Sequence, residues 1–206
     1  MVRRTIFIAF ALIVLFGTGK PAMSVEEPAY KVERDEKPFQ VRVYAPMIVA
    51  TVRVSGTRSE AASTGFRILA DYIFGKNQKN GKIAMTAPVT QSPGEKIAMT
   101  APVSQSKNED GWEIRFIMPA GSTVETLPKP DDSRIQIMET GARRVAVVTF
   151  SGFWSDSNFR SHQKDLTGFI ERKGLSPVSA AVYAYYNPPW TPWFLRRNEV
   201  QIEIAQ

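Results

Sequence analysis

Residues 51–60 (TVRVSGTRSE) line up with residues 147–156 (VVTFSGFWSD) at a constant offset of 96, pairing Ser55 with Ser151, Gly56 with Gly152, Ser59 with Ser155 and Glu60 with Asp156. Each copy carries the same physical grammar. A β-rich run ends at Ser-Gly, and a serine then stands where a helix N-cap belongs, its hydroxyl able to take up an amide hydrogen of the first turn. An acid follows, where it complements the helix dipole. The predicted helices differ in sequence but agree in period. Ala62, Phe66, Leu69 and Ile73 mark one face of the first, ending at Gly75; Phe159, His162, Leu166 and Phe169 with Ile170 mark the second, ending at Gly174.

Strand candidates precede each helix, at 39–54 (broken by Pro46) and 135–150 (turned at Gly141), and others follow, at 81–86, 112–118, 180–186 and 199–204. The order β-β-α-β-β therefore occurs twice. This predicts an α+β fold with a pseudo-twofold β-β-α-β-β duplication, its antiparallel strands forming a curved or barrel-like sheet flanked by two helices. The halves run from about 29 to 126 and from 133 to 206, joined by the Pro-rich stretch 127–132 (LPKPDD). A half of roughly 90 residues with one helix is a poor independent unit, so one domain over 25–206 is expected.

Composition narrows the chemistry. With no cysteine, disulfides, thiolate metal sites and cysteine nucleophiles are excluded. A single histidine, His162, excludes bis-histidine haem ligation and multi-histidine catalytic metal centres. Residues 1–24 read as a secretory signal peptide: Arg3 and Arg4, an apolar run over 5–16, then Ala22 and Ser24 at the small-residue positions of a cleavage site. The alternative is an uncleaved N-terminal anchor. Without that segment the formal charge falls from +6 to +3, so the sequence pI of 9.6 partly describes the leader. No basic stripe or reading motif supports a nucleic-acid partner. A periplasmic or secreted location is expected.

A shorter repeat stands apart. The octet 82–89 (KIAMTAPV) recurs word for word at 96–103, with the turn signal Pro93-Gly94 between the copies. It reads either as a hairpin in which each copy suits the same slot or as a duplication that lengthens a loop.

Five segments taken together, 85–89 with its repeat 99–103 (MTAPV), 116–119 (FIMP), 150–152 (FSG), 186–189 (YNPP) and 196–199 (RRNE), resemble the SOUL haem-binding family over nearly the whole chain after residue 29. The resemblance implies two halves forming a distorted barrel with two flanking helices, a fold shared with effector-binding domains of bacterial transcription regulators. It also implies binding of haem or another tetrapyrrole, without established catalysis, on a shallow apolar surface beside the first helix with basic side chains near the propionates. On this chain the implied contacts are Ile68 and Tyr72, with a propionate near Arg67, the one base within that helix; Arg58 precedes the helix and Lys76 follows it. No histidine lies there, so haem docked on it has weak or no axial protein ligand. Apolar residues at this spacing describe a core face equally well.

His162 is the one imidazole available as an iron ligand, three residues after Phe159 and four before Leu166, with Asp165 as an orienting partner; the competing role is a hydrogen-bonded boundary residue. Ser161 and His162 point about 100° apart on a helix and do not make a triad with Asp165, and no G-x-S-x-G elbow occurs. Met47, Met85, Met99, Met118 and Met138 offer only thioethers, for which core packing is the default. The tail 188–197 (PPWTPWFLRR) reads as a weak membrane-surface contact through Trp190 and Trp193, or as a loop packed over the open end of the sheet. The expected protein is an exported, non-catalytic haem or tetrapyrrole binder, a buffer, carrier or scavenger. The alternative is a SOUL-fold interaction module that has lost the pigment.

Overall fold

The computed structural model describes residues 25–78 and 94–206. The strand-to-helix step is the same in both halves because a glycine makes it. Gly56 (φ +106°) and Gly152 (φ +121°) occupy a backbone region closed to other residues, which lets the chain leave a strand and enter a helix within a few residues. The strands before them, β3 (Met47–Val54) and β9 (Arg143–Phe150), keep the offset of 96 throughout. In the second half Ser155 caps helix α2 (Asp156–Arg172), accepting the Asn158 amide as expected. In the first, the cap is Thr57 and not Ser59. Thr57 and Glu60 form a capping box that starts helix α1 (Arg58–Ile73) two residues before the expected point.

The remaining strands are β1 (Tyr30–Glu36), β2 (Phe39–Tyr44), β4 (Asn77–Gln78), β5 (Val103–Asn108), β6 (Gly111–Ile117), β7 (Lys129–Pro130), β8 (Gln136–Thr140), β10 (Val182–Tyr185) and β11 (Asn198–Glu203). Nine of the eleven described strands form one antiparallel sheet, curled into a half-barrel, in the order β1-β2-β9-β11-β10-β5-β6-β3-β8. Leaving aside β1, which has no counterpart, exchanging β2 with β8, β3 with β9, β5 with β10 and β6 with β11 returns the order of the other eight strands read from the opposite edge. The centre is the β5–β10 pair, with Val103 opposite Tyr185 and Ser106 opposite Val182. The first strand of each half pairs with the second strand of the other, β2 with β9 and β8 with β3. Neither half can complete its own sheet.

Two features differ from the expectation. Strand β1 (YKVERDE) is exposed along its length and has no apolar alternation to announce it. The 127–132 connector is tied down: Lys129 and Pro130 pair with Gln78 and Asn77, and Leu127 is buried. The strand candidate at 81–86 and the first octet lie outside the described residues. The second octet leads into β5, held by the Ile97 amide donating to Ile73 O (2.8 Å) and by the Thr100 hydroxyl donating to Ile117 O.

Both helices lie on one face of the sheet. Under α1 pack Ile48, Ala50, Val52, Leu69, Tyr72, Ile114 and Phe116; under α2 pack Val41, Ala146, Val148, Phe159, Leu166, Phe169 and Val200. Arg58, at the first turn of α1, joins the two layers. Its guanidinium is buried, and it donates to Asp156 Oδ1 (2.5 Å), Tyr185 OH (2.6 Å) and Trp154 O (2.7 Å). Gln105 of β5 donates to the Arg58 carbonyl (2.8 Å) and accepts from Tyr185 OH (3.2 Å).

On the opposite face strand alternation places charge. Glu199 is fully buried and accepts from Arg42 (3.0 Å), Arg197 (2.8 Å), Tyr186 OH (2.8 Å) and Gln201 (2.8 Å). Burial pushes its carboxyl upward, but Arg42, Arg197 and these hydrogen bonds outweigh that and hold it below the usual range. Burial and the Glu199 charge raise the Tyr186 phenol, so it stays protonated and donates.

Two glycine replacements test the helix packing in opposite directions. At Gly65 a Cβ would sit 2.2 Å from Ile114 Cγ1, so Gly65→Ala forces α1 off β6 and costs about 2 kcal/mol by overpacking. At Gly168 the nearest contact is the tip of Arg172, 3.2 Å away, so Gly168→Ala raises stability by about 0.5–1 kcal/mol through helix propensity. Thermal unfolding reads both.

The Glu199 cluster sets a pH dependence. A folded carboxyl held below its unfolded value of about 4.3 contributes stability above that value and loses it as pH falls through the depressed folded pKa. Glu199→Gln leaves Arg42 buried without its counter-charge, at a cost of about 3 kcal/mol near pH 7. Urea unfolding at pH 3 and pH 7 is expected to show the gap from the parent protein narrowing at the acid end.

Candidate functional site

The inward stripe of α1 is Ala61, Gly65, Leu69, Tyr72 and Ile73, set by Gly65 lying against Ile114. That choice turns Phe66, expected on the buried face, to the helix edge, where it is 40% exposed with its ring 5.4 Å from that of Phe116. Arg67 beside it is exposed and makes no hydrogen bond or ion pair among the described residues. Ile68 is half-buried and packs against the core under the helix. Phe74 just past the helix (60% exposed) and Met99 on the segment bonded to its C-terminus (39%) add apolar surface. Lys76 is engaged with Asp71 at 2.8 Å.

Tyr72 stands elsewhere. It is fully buried, its hydroxyl donates to Pro128 O (2.9 Å), and burial pushes its phenol up to about 12. Three residues after Leu69, it belongs to the inward stripe, so in this structure it supports the helix from beneath and presents no surface to a ligand outside. Arg58, considered as a second base near the helix, is consumed in the junction with α2.

His162 lies on α2, over the other half of the sheet, so it is not brought together with Arg67 and Ile68. Its ring stacks on Phe150 at 3.8 Å, and Nδ1 meets the Asn158 carbonyl at 2.8 Å. A carbonyl only accepts, so Nδ1 is the donor in this contact. Met118 is buried, Met138 is 39% exposed, and Met85 lies outside the described residues. Among the described residues no group of three His, Asp or Glu side chains is placed to hold a metal.

Three clefts bear on the site, and α1 lines none of these three. The largest, about 510 Å³, has Met47, Met118 and Val124 in its wall and carries Glu26, Glu27, Glu125 and Glu139, with no lysine or arginine. That rim repels carboxylates. The other two, of about 160 and 20 Å³, lie on the sheet face opposite the helices and share Arg115 and Arg143.

The aromatic tail forms a single 3₁₀ turn (Trp193–Leu195) with no buried residue; Trp190 is 83% exposed, and Trp193 stacks on exposed Phe153 at 5.2 Å. The loop therefore leaves its apolar side chains open to solvent rather than packing them. The arginines behind it are used internally, Arg196 on the carbonyls of Pro189 and Thr191 and Arg197 on Glu27 and Glu199.

The sequence reading missed the charged face. Its signal was present in the alternation of β9 and β11, where Arg143 and Glu199 fall out of phase with the apolar set, but charge at such positions usually means solvent.

The sequence pattern of a family described as SOUL heme-binding protein matches residues 25–203. Heme-binding protein 2 of Homo sapiens is 30% identical over 193 residues, covering 86% of this chain and 89% of its own. The mouse protein of the same name is 28% identical over 200 residues, covering 90% and 93%. Among solved structures, the C-terminal domain of EcmrR matches with a TM-score of 0.58 at 11% identity, covering 86% of this chain and 98% of that one, a likeness of fold alone. A match spanning nearly all of residues 25–206, with relatives aligned over most of their own length, assigns the chain to the SOUL heme-binding protein family.

Proposed function

We propose that this protein binds haem or a related tetrapyrrole against the outer face of α1 and acts as a buffer, carrier or scavenger without catalysing a reaction. The observation that carries the reading, beside family membership, is the unpaired Arg67 next to the exposed ring of Phe66. A tetrapyrrole carboxylate needs a cation that is not already spent, and a flat macrocycle needs apolar surface. Phe66, Phe74 and the edge of Ile68 supply that surface, and Arg67 supplies the cation. A bound haem would bring its iron and its Soret absorption. The chain's part is contact and charge pairing, without an axial histidine, since the one imidazole sits on α2.

The setting we propose is the periplasm or the extracellular space, reached through the signal-like residues 1–24, with 25–206 folding as one unit and no nucleic-acid partner. Weak membrane-surface contact through Trp190 and Trp193 fits the same setting. With Arg196 and Arg197 engaged internally, that contact rests on the aromatic rings and not on anionic lipid. A second reading, an interaction module that keeps the fold without pigment, draws on the burial of Tyr72, which takes one of the implied pigment contacts off the outer face of α1.

Haemin titrated into residues 25–206 is expected to shift the Soret band saturably at one equivalent. Arg67→Glu should weaken binding about three- to tenfold, the range for removing and reversing an exposed pair, while His162→Ala leaves the spectrum unchanged. A titration no different from haemin in buffer favours the pigment-free module. A Soret shift abolished by His162→Ala moves the pigment to α2.

A further inference from the structure

We propose a second binding site, for a small organic carboxylate, on the sheet face opposite the helices, held by the guanidinium groups of Arg115 and Arg143. Arg115 lies between Ile114 and Phe116 of β6, whose side chains face α1, so strand alternation turns it to the other side. Arg143 begins β9, with β11, β10 and β5 between it and β6 in the sheet order, and the curl brings both arginines to the same clefts. Both line the cleft of about 160 Å³ and the smaller one of about 20 Å³.

Neither guanidinium is satisfied. The Nε of Arg115 and the Nε of Arg143 are both buried without a hydrogen-bond partner. Arg115 is partly neutralised by Glu113, 2.7 Å from its Nη2. Arg143 has no ion pair among the described residues; its Nη2 has only the Met47 sulfur at 3.9 Å, and its guanidinium carbon stands 5.9 Å from the Tyr44 ring centre. Burial and the nearby Arg115 charge lower its pKa, and Glu203 opposes them only in part. An arginine stays charged even so, and two cations sharing a partly buried cleft are costly unless an anion lies between them.

The lining names the anion. Around the larger cleft stand three cations, Lys107, Arg115 and Arg143, against one acid, Glu203. A carboxylate is planar and accepts two parallel N–H bonds from one guanidinium fork, which an ammonium cannot offer. Val145, Ala180 and Val182 give the cleft an apolar wall, which suits a short alkyl chain and gives nothing to inorganic phosphate. A space of about 160 Å³ is below that of drug-sized pockets and fits an acid of a few carbons. The site lies off α1 and does not depend on the pigment reading.

The test uses butyrate on residues 25–206, at constant ionic strength against sodium chloride and inorganic phosphate, read by thermal unfolding and calorimetric titration. Butyrate is expected to raise the unfolding temperature saturably, phosphate and chloride not. Arg143→Lys keeps the charge but loses the fork and should bind about tenfold more weakly; Arg143→Gln should abolish the response. Without butyrate, Arg143→Gln should unfold at the parent temperature or above it, because it removes an unpaired charge. Haemin titration should be the same in both variants as in the parent. No saturable effect of butyrate, a phosphate effect equal to it, an undiminished response in Arg143→Gln, or a loss of stability in Arg143→Gln without ligand would each overturn the site. Loss of haemin affinity in Arg143→Gln would merge the two sites and overturn this one as separate, whereas a failed haemin titration with an intact butyrate response overturns only the pigment reading.

Discussion

One guanidinium ties the two halves together above the seam of the sheet. Arg58 opens α1, where the helix dipole disfavours a cation, and it is buried as well. It is tolerated because Asp156, the first residue of α2, lies at 2.5 Å, and because Tyr185 and Trp154 accept its other hydrogens. The two helix starts thus neutralise each other. Beneath them Gln105 and Tyr185 link the central strands β5 and β10 to the same group. Each half pairs a strand with the other, β2 with β9 and β8 with β3, and this junction lies over the middle of the sheet.

That arrangement gives the sheet two unlike faces. On the helix side the strands alternate their apolar residues inward, and α1 and α2 each cover one cluster. On the other side stand the residues between them, Arg42, Arg115, Arg143 and Glu199; the N-terminal segment reaches this face where Tyr30 lies against Arg42 and Glu27 pairs with Arg197. Glu199 is a solved problem, with a donor for every direction. Arg143 is not, and a buried charge left without its counterpart is a more specific pointer to a ligand than the size of a cleft. The largest cleft makes the converse point. Its acidic rim makes it the wrong partner for a pigment with carboxylates, despite its volume.

Much of the architecture was legible in the chain because both halves spell the strand-glycine-cap step in the same way. The offset of 96 places the ends of β3 and β9, at Val54 and Phe150, and the two helices follow from their period. The start of α1 was read two residues late because Ser59 and Thr57 are both good caps, and only the reach of Glu60 decides between them. Strand β1 was invisible, since an exposed edge strand needs no apolar pattern. The site was harder. Tyr72 and Arg67 lie five residues apart on one helix, and which of them faces out depends on how closely Gly65 lets the helix approach Ile114. Gly65 is where the apolar stripe turns, and a glycine contributes nothing to a hydrophobic period. Arg58 looked like a spare base near a propionate; its partners sit about 98 and 127 residues away, beyond any local pattern.

The central claim is that the pigment lies on the outside of α1 while the opposite face of the sheet is left alone. Ferric haem broadens the amide signals of residues close to its iron, so the map of lost intensity in a two-dimensional NMR spectrum locates it directly. Broadening confined to α1 around Phe66, Arg67 and Phe74 and to the segment at Met99, with β5, β6 and β9 unaffected, is what the account requires. Broadening centred on Arg115 and Arg143, or on α2 around His162, with α1 untouched, would contradict it.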